Sequence, residues 1–167
     1  WDEMAENVVM RLRLPRVLAA VAVVASLSIS GAAYQGLFRN PLISPDFLGV
    51  SSGACIGAAA AILLSLHSIS IQLFAFAGGI AAVLLTTAIP RLLQKNSNLV
   101  LVLSGVIVSG AMNSIMGLIK YVADPSTKLA EITYWQMGSL AYVGFRSFWC
   151  VAIPFLACTI LLIRLSW

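Results

Sequence analysis

Apolar residues fall into long runs separated by short polar breaks, and the runs are long enough to cross a bilayer. The first extends from about Pro15 to Phe38 and holds no charged residue between Val17 and Tyr34. Further runs cover about Gly49–Leu66, Ile71–Ile89, Leu99–Val122 and Phe148–Leu165. A helix needs roughly 20 apolar residues to span the hydrocarbon core, so each run predicts a transmembrane helix. Leu129–Leu140 is too short to span and predicts a short interfacial or re-entrant helix. Pro15 suits a helix start, where its missing N–H costs nothing. Pro90 is expected to close the third run, and Pro154 to kink the fifth.

The breaks have turn chemistry. Arg39-Asn40-Pro41-Leu42-Ile43-Ser44-Pro45-Asp46 holds two prolines, an Asn and two charges, a combination that stops a helix. Gln94-Lys95-Asn96-Ser97-Asn98 and Ala123-Asp124-Pro125-Ser126-Thr127-Lys128 do the same further on. The fold class predicted is an all-α integral membrane protein, a polytopic bundle of about five transmembrane helices plus one short helix. Residues 1–167 read as a single membrane domain with no soluble module and no internal repeat.

Composition agrees. Of 167 residues, 60% are hydrophobic and 10% charged, whereas soluble domains carry roughly a quarter charged residues. The net charge of +4 sits mostly at run ends, where basic side chains anchor helices at headgroups, so it gives no reason to expect nucleic acid. Cys55, Cys150 and Cys158 lie inside apolar runs without His or Cys at ligand spacing, and read as buried helix cysteines rather than a metal site. His67, at the end of a run, reads as a solvated loop residue. An intramembrane enzyme would need paired acids, a Ser/His pair or a metal cluster within the spans, and no clear ionisable pair is there. The opening Trp1–Glu6 is acidic and no cleavage-site pattern follows, so no signal peptide is expected. The start at Trp rather than Met suggests a chain that begins within a longer protein.

Small residues mark where helices approach. Gly53-Ala54-Cys55-Ile56-Gly57 is a small-xxx-small spacing that supports close helix contact in lipid. In the fourth run Gly105, Ser109, Met112, Asn113 and Met116 fall near one helical face. Asn113 is costly in an apolar run unless it has a partner or a water-lined cavity.

Several linked motifs carry a resemblance. Arg13-Leu14-Pro15-Arg16 is followed by Gly31 to Gln35, then Asn40-Pro41-Leu42, Pro45 and Leu48-Gly49 through Gly53-Ala54, and later Trp135-Gln136-Met137-Gly138-Ser139. This order resembles the FecCD-like permease family of bacterial ABC importers for ferric siderophores, haem and cobalamin, with its R-x-P-R, G-x-x-x-Q, N-P-L-x-x-P-x-x-L-G-x-x-x-G-A and W-x-x-G-S segments. The resemblance implies part of a ten-span permease fold, with this chain matching spans two to six and the coupling helices expected beyond Trp167.

It also implies an inner-membrane location and a set of partners. These are a second permease copy, two ATPase subunits that bind ATP and Mg, and a periplasmic or lipid-anchored substrate-binding protein. No cofactor, metal or catalytic group is expected on this chain. Transport would proceed by alternating access. The alternative left open is a truncated permease that folds but does not transport, or a membrane scaffold.

Site residues follow from the same match. Arg13 and Arg16 would lie on the outer face and pair with acids of the binding protein; the alternative is that they snorkel to headgroups. A count of basic residues alone would place that side in the cytoplasm, and the resemblance overrides it. Asn40, Leu42, Ser97 and Asn98 would form the inner gate turns, or else be ordinary loops. Gly105, Ser109, Met112, Asn113 and Met116 would line the pathway, or else form a helix contact in which Asn113 finds a neighbour. Tyr134, Trp135 and Tyr142 suggest an outer aromatic belt. Gln35, Pro41 and Pro45 read as structural.

Overall fold

The computed structural model describes residues 6–39, 41, 43–94, 97–141 and 143–165. Asn40, Leu42 and Tyr142, named above, lie outside them. The described residues form helices α1 (Leu14–Phe38), α2 (Val50–Leu63), α3 (Ser68–Leu92), α4 (Asn98–Val122), α5 (Lys128–Met137) and α6 (Phe145–Leu165), with a π-helical segment at Val8–Arg13 and a 3-10 turn at Pro45–Leu48. No strand occurs among the described residues.

Four helices are long and apolar enough to cross a membrane, namely α1 with its π-helical lead-in, α3, α4 and α6. The expected span over Gly49–Leu66 is shorter. Its helix, α2, has 14 residues, about 21 Å at 1.5 Å per residue, against a hydrocarbon core of about 30 Å. Three of the four residues lost lie at its far end, where Leu64 caps the helix and Ser65 takes φ 54°; at its near end the 3-10 turn stops at Gly49 with φ 75°. That left-handed conformation is open to glycine at no steric cost, and it redirects the backbone into α2.

Two prolines expected at helix ends, Pro15 and Pro90, sit inside helical stretches. Helix continues upstream of Pro15 through the π-helical segment, where Leu14 N–H reaches the Val9 carbonyl. That five-residue step accommodates the carbonyl that the Pro15 ring would otherwise crowd. α3 likewise runs past Pro90 to Leu92. In lipid, neighbouring helices and hydroxyls can satisfy the groups a proline frees. α5 ends at Met137, three residues before the predicted boundary at Leu140, and Gly138 follows with φ 72°.

The chain divides into two compact units, residues 34–138 and residues 1–33 with 139–167. In the first, α2 packs along α3. A Cβ at Gly53 would strike the Gly78 carbonyl, one at Gly78 the Gly53 carbonyl, and one at Gly57 the Phe74 carbonyl. Glycine therefore sets the helix separation, as the small-xxx-small spacing predicted. Around this crossing, Ala58, Ala59, Ala61, Ile62, Ile71 and Ala75 form a core with Met116, Ala123 and Ile132.

The second unit is thinly packed in its own right. In α6, Ala152 is buried while Trp149, Ile153, Leu156 and Ile160 are exposed. Cys150 and Cys158 are exposed free thiols and Cys55 is half-buried, so the expectation of three buried cysteines fails. An exposed thiol on an apolar helix is at no disadvantage when the surroundings are lipid, because its polarity is slight. His67 is exposed at the start of α3, as a loop residue should be.

Candidate functional site

Polar groups of residues 34–138 converge where α1 and α3 end and α4 begins. A helix end leaves carbonyls, and a helix start N–H groups, without a partner in the helix, and side chains here satisfy one of each. Ser97 caps α4, its hydroxyl accepting from Leu99 N–H at 3.3 Å. The Asn98 side-chain amide donates to the Phe38 carbonyl at 2.8 Å, across 60 residues of sequence. The last turns of α1 and α3 close with Arg39 at φ 49° and Gln94 at φ 53°, the left-handed conformation at which many helices stop. Thr87, Pro90, Arg91, Ser97, Asn98 and Leu101 line a cleft of about 240 Å³ there.

Of the four predicted gate residues, Ser97 and Asn98 therefore meet the end of α1 and the end of α3, while Asn40 and Leu42 fall outside the described residues. The sequence reading missed Thr87 and Arg91, which share the cleft. Pro90, recognised as a helix terminator, was the available signal.

A second cluster holds the 3-10 turn. Phe47 N–H donates to the Ser44 carbonyl at 3.1 Å, Gly49 N–H to Asp46 at 3.0 Å, and Gly53 N–H to Gly49 at 2.9 Å. The Ser51 hydroxyl donates to the Asp46 carboxylate. On one side, the fully buried Thr86 of α3 donates its hydroxyl to the Leu48 carbonyl at 3.0 Å. On the other, α4 presents Gly105, where a Cβ would collide with the Phe47 carbonyl, and Ser109, whose Oγ would lie 3.0 Å from a Cβ at Gly49. Thr86 was not anticipated, because its partner lies 38 residues away and no local pattern reports such a pairing.

The predicted face on α4 divides. Gly105 and Met116 are buried inside this unit, Ser109 and Met112 are half-buried, and Asn113 is exposed. Gly105 serves the contact with the turn, and Met116 belongs to the core around α2. Asn113 stands at the edge of the face, about 80° round the helix from Gly105 at 100° per residue.

At the opposite end of α4, the Lys120 ammonium donates to the Gln136 side-chain carbonyl of α5. Asp124 organises the loop between them. The Thr127 hydroxyl, the Ser126 N–H and the Ser126 hydroxyl all donate to its carboxylate. Those donors favour the ionised form and hold its pKa below the ordinary carboxylate value. Ile132 of α5 is buried while Tyr134 and Trp135 are exposed, which leaves an aromatic surface on this short helix.

In the other unit, Arg13 is exposed and Arg16 half-buried. The Arg16 Nε is buried without a hydrogen-bond partner among the described residues. No group of three or more His, Cys, Asp or Glu that could hold a metal ion occurs among the described residues.

Known proteins match the chain throughout. A model of the FecCD transport family matches residues 1–167. The molybdate import system permease protein of Haemophilus influenzae is 36% identical over 99% of this chain and 49% of its own length. A probable iron chelatin transport system permease protein of Helicobacter pylori is 44% identical over 83% of this chain and 41% of its own. The vitamin B12 import system permease protein of an Escherichia coli O1:K1 strain is 38% identical over 86% and 44%. A solved structure of a metal-chelate type ABC transporter in an inward-facing conformation superposes with a TM-score of 0.89 at 34% identity, covering 99% of this chain and 53% of that one. The chain thus spans about half the length of the curated relatives it matches. With four helices able to cross a bilayer, it is a multi-pass protein of the inner (cytoplasmic) membrane, and it belongs to the FecCD transport family.

Proposed function

We propose that this chain forms part of the membrane pathway of an ATP-driven importer that carries a ferric siderophore, haem or cobalamin into the cell by alternating access. The observation that carries the reading is the family match over residues 1–167. The names of the relatives support it, and they add molybdate as a fourth candidate substrate. The partners proposed are a second permease copy, two ATPase subunits that hold ATP and Mg, and a substrate-binding protein.

In this reading Ser97 and Asn98 belong to the inner gate, and the resemblance assigns Asn40 and Leu42, outside the described residues, to the same gate. Short polar groups suit a gate because they can exchange one hydrogen-bond partner for another or for water at little net cost. The Asn98 amide is such a group, since the bond to Phe38 joins two helix ends that must part if the pathway opens there. Gly105 and Met116 are engaged in packing, so Ser109, Met112 and Asn113 are the better candidates to meet substrate. Arg13 and Arg16 lie on the outer face and dock the binding protein through its carboxylates. Guanidinium forks pair well with carboxylates, and complementary charge sets docking register and on-rate.

Uptake of labelled ferric siderophore, haem, cobalamin and molybdate by cells with and without the complete transporter tests the reading. Loss of one uptake activity on deletion is the expected result and names the substrate. Unchanged uptake of all four contradicts it.

A further inference from the structure

We infer that the Thr86 hydroxyl is a positioning group, a latch that fixes the Pro45–Gly49 turn to the proline break of α3, so that the turn, the end of α3 and the start of α4 move as one block. The inference deepens the gating role proposed above and rests on it for its transport consequence alone.

The turn lies part-way along α4. It packs against Gly105 and Ser109, seven and eleven residues from the first residue of α4 at Asn98. Seven residues are about 10 Å of helix. Non-helical backbone that far along a spanning helix is tolerated only where its polar groups find partners inside the protein. The Ser44, Asp46 and Gly49 carbonyls obtain theirs from backbone N–H groups. Leu48 is buried, and its carbonyl receives the Thr86 hydroxyl.

Thr86 stands four residues before Pro90, and both are buried. Proline has no N–H for the carbonyl four residues earlier, so the regular helix bond from position 90 to position 86 is missing. α3 is therefore weakest along its own axis at the residue whose side chain grips the turn. The bond to the Leu48 carbonyl ties α3 to the turn at the level where its own backbone ladder is interrupted. On the far side of the turn, Gly105 allows the Phe47 carbonyl to lie against α4, and Asn98 at the start of α4 holds the Phe38 carbonyl. A change in tilt of α3 at Pro90 then displaces the turn through Thr86 instead of sliding past it.

Two substitutions in the full-length transporter separate this role from simple core packing. Thr86→Val keeps the shape and removes the hydroxyl; Thr86→Ser keeps the hydroxyl. Amide hydrogen exchange is followed across residues 47–53 in detergent, and uptake per ATP hydrolysed is followed in proteoliposomes. T86V is expected to raise exchange at the Gly49 and Gly53 amides about tenfold, the effect of roughly one net hydrogen bond lost, and to lower uptake per ATP. T86S is expected to stay within about twofold of the unsubstituted protein, a difference well below one hydrogen bond.

Exchange in T86V equal to that of the unsubstituted protein overturns the latch. If T86V does not accumulate, T86S decides: folded T86S protein whose Gly49 and Gly53 amides exchange about tenfold faster than those of the unsubstituted protein overturns the latch as well. An unsubstituted transporter that moves none of the four substrates defeats the transport reading, while the exchange result still decides the latch.

Discussion

Helices α2 and α6 are both strongly apolar, yet the structure treats them oppositely. α2 buries Gly53, Gly57, Ala58, Ala59, Ala61 and Ile62 in its 14 residues. α6, with 21 residues, buries Ala152 and leaves Trp149, Ile153, Leu156 and Ile160 exposed. Hydrophobicity does not separate them, since lipid tails are as apolar as leucine and give helices no reason to associate. Side-chain size does. Glycine and alanine let two backbones approach until dispersion contacts accumulate along the whole crossing, whereas bulky side chains make equally good contacts with lipid.

The contrast can be broken most severely at the α2–α3 crossing. Gly57→Leu drives a side chain into the Phe74 carbonyl, and backbone cannot yield as a side-chain tip can. Such overpacking costs about 3 kcal/mol or more when the neighbour is rigid; monodisperse folded protein is expected to disappear in gel filtration from detergent. Gly105→Ala is smaller but meets the Phe47 carbonyl at the turn. The expected loss is about 1–3 kcal/mol, read as a lowered thermal midpoint with the helix content kept.

The residues proposed to act at the far end of α1 differ again, because their role is charge rather than packing. Replacing Arg13 and Arg16 with Glu in the complete transporter is expected to weaken binding-protein docking about tenfold and to change its salt dependence, with the fold intact. Arg13 should dominate, being exposed where Arg16 is half-buried. Unchanged docking in a titration against the binding protein would assign both arginines to the headgroups.

Asp124 gives a weaker, pH-dependent effect. Its carboxyl is held below the ordinary range by Thr127 and Ser126. A depressed folded pKa means that the stabilisation is present above the ordinary carboxylate value and lost as pH falls through the depressed one. The wild-type chain should therefore melt above an Asp124→Asn variant at neutral pH, and the gap should close towards the acid limit. A gap independent of pH contradicts the assignment. The smallest effect belongs to α6, where Leu156→Ala should cost less than about 0.5 kcal/mol if that face meets lipid. A cost of about 2 kcal/mol or more would show that further spans of the complete protein cover the face, and would sharpen the comparison with α2.

How far the sequence revealed the fold follows from the same physics. The centre of every apolar run became helix, and Gly53-xxx-Gly57 correctly marked a close crossing, because hydropathy and residue size are local properties. The ends were less legible. Pro15 and Pro90 read as boundaries by their local preference, but the surrounding helix absorbed both. α2 came out short mainly at its far end, where Leu64 caps it and Ser65 takes φ 54°, and an apolar run does not announce such a φ.

The site divides in the same way. Ser97 carries a cap signature that sequence can show. Thr86 and Asn98 hold carbonyls 38 and 60 residues away, and nothing local distinguishes a threonine that grips a distant turn from Thr87, which bonds to Val83 and Leu84 in its own helix. The reading of the α4 face did not foresee that the chain's own packing occupies Gly105 and Met116.

The central claim is that the junction of Phe38 and Asn98 is a gate that must part during transport. The direct test is Phe38→Cys with Asn98→Cys in the complete transporter, with Cys55, Cys150 and Cys158 replaced, joined by a short thiol cross-linker in proteoliposomes supplied with Mg-ATP. The account predicts that cross-linking stops substrate uptake and that a reducible linker restores it on cleavage. Uptake at the unmodified rate through the cross-linked protein would contradict it.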